Sequence, residues 1–165
     1  MSGAEIQPPE LPRTVFERIE ALLTSRGAAF DVLRHEPVFT SIEAAAVRGT
    51  SLASGAKALV CKADERFLMF VLPADRRLDS KALRKAKGWK SLRFATADEV
   101  LELTGLTPGS IPPFGQLFEL PTLCDRRLAD EPTINFNAGD HAVSISLRYA
   151  DYAAVEQPEM VDGSQ

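Results

Sequence analysis

The sequence predicts an α/β domain around a mixed or mostly antiparallel sheet, and two observations favour this class. Segments that resemble strands outnumber those that resemble helices, and hairpin signals lie among the helices. A doubly wound nucleotide fold would show strands and helices in strict alternation instead. The 165 residues suit one domain, and no repeat or linker divides them, so we expect a single domain over residues 1–165.

The first predicted helix starts at Pro12 and ends at Arg26-Gly27. Its apolar residues recur at helical spacing: Val15, Phe16, Ile19, Leu22 and Leu23. A short strand is predicted over residues 29–33. Ser41 is a plausible N-cap for a second helix that runs through Ala46.

The middle of the chain predicts a hairpin and then a basic helix. Apolar residues fill 58–61 and 67–72, and the polar turn between them is typical of a β-hairpin. Asp79 or Ser80 can cap a helix that ends at Gly88.

Residues 91–95 resemble a strand, and residues 96–99 form a capping box that opens a helix through Thr104. A loop rich in glycine and proline covers residues 105–115. A strand over residues 117–123, broken by Pro121, is predicted to follow.

The last part of the chain predicts another hairpin. Residues 133–136 and 142–147 flank an Asn-Ala-Gly-Asp turn at 137–140. A short helix over 149–155 follows, and we expect residues 157–165 to form a loose tail.

Composition narrows the class of protein. No apolar run approaches the roughly 20 residues of a membrane helix, and the N-terminus lacks the pattern of a signal peptide. Cys61 and Cys124 are 63 positions apart, so we expect reduced, structural thiols. We therefore expect a cytoplasmic protein without a membrane partner.

The charge distribution is uneven although the net charge is only −4. Residues 76–93, here called the basic strip, carry eight Lys or Arg and one Asp, a net +7, so the rest of the chain carries −11. A local positive strip suits one phosphate backbone. The alternative interpretation is a solvated helix face.

The sequence lacks the motifs of several common catalytic and binding sites. His35 and His141 are the only histidines and neither lies near a cysteine, so no metal-ligand spacing is present. The chain also lacks the GxSxG, GxGxxG and phosphate-loop patterns. We expect neither a metal nor a cofactor.

Two features suggest a binding pocket. Lys57 precedes an apolar strand, where it could present a charge to a phosphate or carboxylate. A lysine at a sheet edge whose stem merely covers apolar surface is the alternative. Residues 107–115 combine prolines and glycines, which stiffen a loop and leave backbone groups free for a ligand. An ordinary surface turn is the alternative there.

An ordered series of short motifs from His35 to Leu147 resembles the YbaK / prolyl-tRNA synthetase-associated editing family. The segments that carry the likeness are His35-Glu36-Pro37 with Thr40, Ala56-Lys57-Ala58-Leu59, Leu72-Pro73-Ala74-Asp75, Leu78-Asp79-Ser80-Lys81-Ala82-Leu83, Thr104-Gly105, Gly109-Ser110-Ile111-Pro112-Pro113-Phe114-Gly115 and Asn137-Ala138-Gly139. The resemblance implies a mixed, mostly antiparallel, partly rolled sheet surrounded by helices.

The resemblance also implies an activity: hydrolysis of the ester between a wrong amino acid and tRNA, commonly proline tRNA. Lys57 matches the family's lysine near the terminal adenosine, and Gly109 begins its GxxxP loop, so we predict both as catalytic positions. Substrate-binding positions implied by the same motifs are Thr40, Ser110, Ile111, Pro112, Pro113, Phe114, Gly115, Ala138, Gly139 and Ser144. The resemblance further implies that a hydroxyl of the terminal ribose activates the attacking water while the protein supplies orientation.

Departures from the family pattern leave open which amino acid is removed from the tRNA. Cysteine-specific members carry Asp where this chain has Ser144 and Tyr where it has Leu33. The paired prolines before Phe114 also differ from alanine-specific members. These differences weaken an assignment to cysteine, and the choice among alanine, cysteine, serine, threonine or another small amino acid stays open.

The expected partner is the tRNA acceptor end, with a prolyl-tRNA synthetase as a second candidate. For the acceptor-stem backbone we predict contacts from Arg76, Arg77, Lys81, Arg84 and Lys85. The alternatives are a module that binds aminoacyl-tRNA or a synthetase without hydrolysis, and a hydrolase or transferase that uses the pocket for small amino-acid esters.

Overall fold

The computed structural model describes residues 13–165. In this range the helices are α1 (Val15–Ser25), α2 (Ser41–Arg48), α3 (Ser80–Lys87), α4 (Ala97–Thr104) and α5 (Tyr149–Glu156). The strands are β1 (Phe30–Arg34), β2 (Ala56–Ala63), β3 (Arg66–Pro73), β4 (Leu92–Phe94), β5 (Thr122–Asp125), β6 (Thr133–Asn137), β7 (Val143–Arg148) and β8 (Glu159–Val161). Two 3₁₀ helices cover Gly115–Phe118 and Arg126–Asp130.

The strands form two sheets. One has five strands in the order β4-β2-β3-β5-β8, and the other has three in the order β1-β7-β6. Four strand pairs are antiparallel, whereas β3–β5 and β5–β8 are parallel. A bridge between Gly55 and Asn135 joins the sheets. The prediction of a mixed, mostly antiparallel sheet is therefore confirmed.

Side-chain caps explain where the helices begin. Thr14 with Glu17 and Thr96 with Glu99 form capping boxes at α1 and α4. Asp79 caps α3 as predicted. Thr40, not Ser41, caps α2, which continues to Arg48. The predicted start of the first helix at Pro12 lies outside the described residues.

Two apolar clusters pack on the sheets. The larger one fills the space between them and includes Met69, Phe114, Phe136 and Tyr152. The smaller one packs α3 through Leu83 against the five-stranded sheet. β3 is buried along almost its whole length because it contributes to both clusters. Burial on both faces accounts for its nearly continuous apolar sequence.

The two cysteines are free and buried, and they lie in different clusters. Burial raises the pKa of both thiols to about 12, so neither is a reactive thiolate at neutral pH. In the described part of the chain no helix has the length and apolar character needed to span a bilayer.

The predicted strand over residues 117–123 is wrong in its first half. Residues Gly115–Phe118 form a 3₁₀ turn, and Glu119 takes a left-handed conformation with φ 57°. Pro121 cannot donate to a strand ladder, so β5 begins only at Thr122. The carbonyl of Pro121 still accepts a hydrogen bond from the Met69 amide at 2.8 Å.

The predicted loose tail is also wrong. Strand β8 pairs in parallel with β5, and the backbones of Arg77 and Gln165 exchange hydrogen bonds of 2.9 and 2.8 Å. The Gly163 amide donates to buried Asp125 at 3.0 Å. The tail is ordered because it satisfies the open edge of β5, which the local sequence does not reveal.

Candidate functional site

Two adjacent cavities open near the start of β2. The first, of about 350 Å³, lies among α2, β2, β6 and the loop at Gly109. The second, of about 490 Å³, lies among β2, the segment after β3, β4 and the same loop. Lys57 and Gly109 line both. The structure thus brings the two predicted catalytic positions together where the two cavities meet, a place here called the junction.

The position of Lys57 follows from strand pairing. It lies opposite Leu72 in the β2–β3 ladder, and its side chain is exposed while the neighbouring Ala56 is buried. Gly55 lines the first cavity and packs closely against its neighbours, since a Cβ there would lie 3.0 Å from the Cβ of Ala74 and 3.2 Å from the carbonyl of Leu52.

The loop at Gly109 is held from two sides. Gly109 has φ +92°, a conformation that favours glycine, and its carbonyl accepts a hydrogen bond from Asn137 Nδ2 at 2.6 Å. His141 Nδ1 lies 3.1 Å from the carbonyl of Val38, which can only accept, so this nitrogen carries the proton. In the neutral ring, His141 Nε2 accepts from the Thr107 hydroxyl at 3.1 Å.

Arg48, at the end of α2, lines the first cavity and is half-buried. Its Nε donates to Ser144 Oγ and its Nη2 to Asn137 Oδ1, both at 2.8 Å. Burial lowers the pKa of Arg48 to about 10, so the guanidinium stays charged at neutral pH.

Behind Arg48, Ser144 continues the network to His35. His35 Nδ1 lies 2.7 Å from the Glu36 carbonyl and therefore donates, so in the neutral ring Nε2 accepts from the Ser144 hydroxyl at 2.7 Å. A continuous set of hydrogen bonds thus runs from His35 through Ser144 and Arg48 to Asn137 and the Gly109 carbonyl.

The first cavity has a cationic and polar lining. Lys57 and Arg48 supply charge, Asn135 and Asn137 supply amides, and several small residues leave space. Among the described residues that line it, none is Asp, Glu, His or Cys. This lining suits a small ligand that carries oxygen acceptors.

The second cavity is more apolar and has a basic rim. Leu59, Leu72 and Val100 contribute apolar surface, and Phe94 has 59% of its surface exposed. Arg76 and Arg77 lie at the rim beside Lys57. An apolar surface with an exposed ring and several cations suits a nucleobase and its phosphate.

Of the predicted substrate-binding residues, Thr40 and Ile111 line the first cavity, and Ile111 also lines the second. The hydroxyl of Thr40 accepts the Glu43 amide at 3.1 Å as the cap of α2 and donates to the Glu43 carboxylate at 3.0 Å. Thr40 therefore caps α2 and also lines the first cavity.

The other predicted binding residues do not line either cavity. They are Ser110, Pro112, Pro113, Phe114, Gly115, Ala138, Gly139 and Ser144. Seven of them are buried and Gly139 is half-buried, because they form the wall behind the cavity. They support the cavity wall in this structure, and their direct contact with substrate stays a prediction.

Their contacts show how they support the wall. Phe114 packs edge-on against Phe136 and Tyr152, with centroid distances of 5.5 and 5.4 Å. The hydroxyl of Tyr152 donates to the carbonyl of Pro113 at 2.8 Å. The amide of Gly139 donates to the carbonyl of Ser110 at 2.9 Å and so ties the β6–β7 turn to the loop.

The basic strip is only partly available to a ligand. Lys87 pairs with Glu159 and Arg93 with Glu99, both at 2.7 Å. Lys81 and Lys85 are exposed on α3. Arg84 is half-buried, and its Nε is buried without a hydrogen-bond partner among the described residues, so its contact with a phosphate stays a prediction.

Sequence reasoning missed the role of Arg48 and of the Asn137 side chain. Arg48 resembles an ordinary cation in the last turn of a helix, and no local pattern shows that the helix end turns toward a cavity. Asn137 belongs to a quoted motif, but only the fold shows that its amide joins Arg48 to Gly109.

Comparisons with known proteins identify the family of the chain. Residues 35–155 match the model of the aminoacyl-tRNA editing domain family. The chain is 38% identical over 151 residues to the Multifunctional Ser/Thr-tRNA deacylase ProXp-y of Escherichia coli (strain K12), covering 88% of this chain and 90% of that relative.

Two further comparisons extend the likeness. The chain is 26% identical over 129 residues to the Prolyl-tRNA editing protein ProX of Acetoanaerobium sticklandii, covering 74% of this chain and 78% of that protein. A crystal structure of a candidate trans-editing enzyme for prolyl tRNA synthetase matches with a TM-score of 0.82 at 25% identity, covering 94% and 99% of the two chains. This chain belongs to the aminoacyl-tRNA editing domain family and is an editing hydrolase.

Proposed function

We propose that this enzyme hydrolyses the ester that joins serine or threonine to the terminal ribose of a mischarged tRNA, acting in trans. The observation that carries the proposal is the junction at Lys57 and Gly109. There a smaller cavity lined by two cations and two amides meets a larger, more apolar cavity with a basic rim. An aminoacyl-adenosine end has the same two parts, joined by the ester.

The two parts of the ligand fit the two cavities. The first cavity takes the aminoacyl group, because its wall is built from small residues such as Ala44, Ala45 and Ala56. The second takes the terminal adenosine, with its base near Phe94 and its phosphate near Lys57 and Arg76. The ester then lies beside the fixed backbone of the Gly109 loop.

For the chemistry we propose that the free vicinal hydroxyl of the terminal ribose orients the attacking water. The water oxygen bonds to the ester carbon, the bond between that carbon and the ribose oxygen breaks, and the ribose oxygen leaves with a proton from the water. The lining of the first cavity supports this route, since its described residues include no carboxylate, imidazole or thiol that could act as the base. Lys57 and the loop position the ester.

The choice of serine or threonine rests on the cavity and on the relative. The polar lining suits a hydroxylated side chain, and the Escherichia coli relative is named a Ser/Thr-tRNA deacylase. A second site that recognises a side-chain hydroxyl can remove such errors after a synthetase has made them, because a correct residue without a hydroxyl leaves the polar groups of that site unpaired.

We further propose proline tRNA as the carrier, prolyl-tRNA synthetase as a partner and the cytoplasm as the compartment. Relatives named for prolyl-tRNA editing support the first of these.

The test is a deacylation panel. Proline tRNA is charged separately with serine, threonine, alanine, cysteine and proline, and serine tRNA is charged with serine. Rapid release of serine or threonine from proline tRNA, with proline retained, is the expected result. Binding of the charged tRNA without release of any amino acid would favour a binding module. Release from a minimal ester as fast as from tRNA would favour a small-molecule esterase.

A further inference from the structure

Arg48 presents hydrogen-bond donors that the protein leaves unused. A guanidinium carries five N–H groups. Within residues 13–165, only the Nε–H and one N–H of Nη2 donate to protein acceptors, Ser144 and Asn137. No carboxylate in this range pairs with Arg48. The remaining donors belong to a side chain that lines the first cavity.

The guanidinium is fixed before any ligand arrives. Ser144, whose surface is 2% exposed, accepts from Arg48 and donates to His35. Asn137 accepts from Arg48 and donates to the Gly109 carbonyl. Arg48 cannot swing toward solvent without taking its hydrogen bonds from buried Ser144 and half-buried Asn137. A pre-organised donor loses little entropy when it binds an acceptor.

The space in front of Arg48 suits a small side chain. Arg48 Nη1 lies 4.0 Å from the point where a Cβ of Gly55 would stand, and Ala44, Ala45 and Ala56 line the same cavity. A charged donor that has lost part of its hydration gains most from an oxygen acceptor on the ligand. Serine and alanine differ by one such oxygen.

We propose that Arg48 is a specificity-determining residue that donates a hydrogen bond to the side-chain hydroxyl of the bound serine or threonine. This inference rests on the proposed function, whose aminoacyl group occupies the first cavity. Alanine leaves the donors of Arg48 without a partner in a partly dehydrated site. A site built to bind a hydroxyl discriminates strongly against the analogue that lacks it.

The test compares serine with alanine on the same tRNA. We measure kcat/KM for seryl- and alanyl-tRNA with the wild type, Arg48→Leu and Arg48→Lys. The wild type is expected to prefer serine, and Arg48→Leu to reduce the serine-to-alanine ratio by about 10- to 100-fold. Arg48→Lys keeps a charged donor and should retain part of the preference. Because the ratio uses one preparation, a smaller folded fraction does not change it.

Arg26→Leu is the matched control, since Arg26 is an exposed arginine that lines neither cavity. Its serine-to-alanine ratio should equal that of the wild type. If Arg48→Leu slows seryl and alanyl release by the same factor, Arg48 acts on the ester that both share, and the specificity role is overturned.

A binding measurement separates this inference from the proposed function. The probes are terminal adenosines that carry serine or alanine through an amide, which the enzyme cannot cleave as an ester. One outcome is that no charged tRNA is hydrolysed, but the seryl probe binds more tightly than the alanyl probe and loses this advantage in Arg48→Leu. In that case the proposed hydrolysis is wrong and the specificity role of Arg48 is supported. If the wild type hydrolyses the esters but binds the seryl and alanyl probes equally, the specificity role of Arg48 is wrong and the proposed hydrolysis is supported.

Discussion

Gly115 shows at the residue scale how a position without a functional group shapes the site. A Cβ there would overlap Thr122 Oγ1 and would lie 2.5 Å from the carbonyl oxygen of Leu120. The Gly115 amide donates to that same Thr122 hydroxyl at 3.1 Å. The close approach fixes the end of the loop that begins at Gly109. The sequence predicts the loop from its glycines and prolines, but the clash depends on a partner seven residues away.

Gly115→Ala should therefore lower the free energy of unfolding by about 2 kcal/mol, the usual scale for overpacking a filled site. Gly88→Ala is the control, because a Cβ at Gly88 meets nothing within 4 Å and only its φ of +71° opposes the change. The left-handed conformation should make Gly88→Ala cost about 1 kcal/mol. Urea unfolding of both variants measures the difference, and equal losses would contradict the steric explanation.

At the scale of elements, β8 closes the edge of the five-stranded sheet. Asp125, at the end of β5, accepts from the Gly163 amide at 3.0 Å and from the Arg127 amide at 2.9 Å. Its side chain therefore joins the tail to the 3₁₀ helix after β5. Helix caps such as Thr96 with Glu99 could be predicted because their partners lie three residues apart. Strand β8 could not, since Glu159–Val161 is too short to form a recognisable pattern.

Asp125→Ala should cost about 2 kcal/mol, because two amides lose a buried acceptor. Asp162→Ala is the matched control in the same tail. Asp162 has a side chain that is 87% exposed and a surface ion pair of 3.5 Å with Arg126, so its removal should change stability by less than about 0.5 kcal/mol. Chemical denaturation followed by circular dichroism gives both values. Similar values for the two variants would refute the role assigned to Asp125.

At the scale of the whole molecule, charge separates one basic strip from an acidic remainder. The structure places Arg76 and Arg77 of this strip beside the second cavity and exposes Lys81 and Lys85 on α3. The distribution of charge along the sequence predicted the basic strip, and the hairpin signals predicted the mixed sheet. The contact between the two sheets at Gly55 and Asn135 joins residues 80 positions apart. A pairing so distant along the chain leaves no local signal.

Reversal of Lys81 and Lys85 to Glu should weaken tRNA binding and reduce the slope of log K against log salt by up to about 2. Arg84 is left unchanged, since its buried Nε would confuse binding with stability. Reversal of Arg13 and Arg26, two exposed arginines outside the strip, changes the net charge equally. Titrations at several salt concentrations compare the pairs. The same effect from both would mean that only net charge matters.

The most direct test is the rate at which Lys57→Ala releases serine from proline tRNA that has been charged with serine. Lys57 lies where the two cavities meet, so we expect a loss of about 100-fold. Lys62→Ala is the control, because Lys62 lies on the same strand, lines neither cavity and packs its amine over the Phe67 ring at 5.3 Å. Wild-type rates for Lys62→Ala and slow release for Lys57→Ala would support the junction as the active site. Equal rates for the two variants would contradict it.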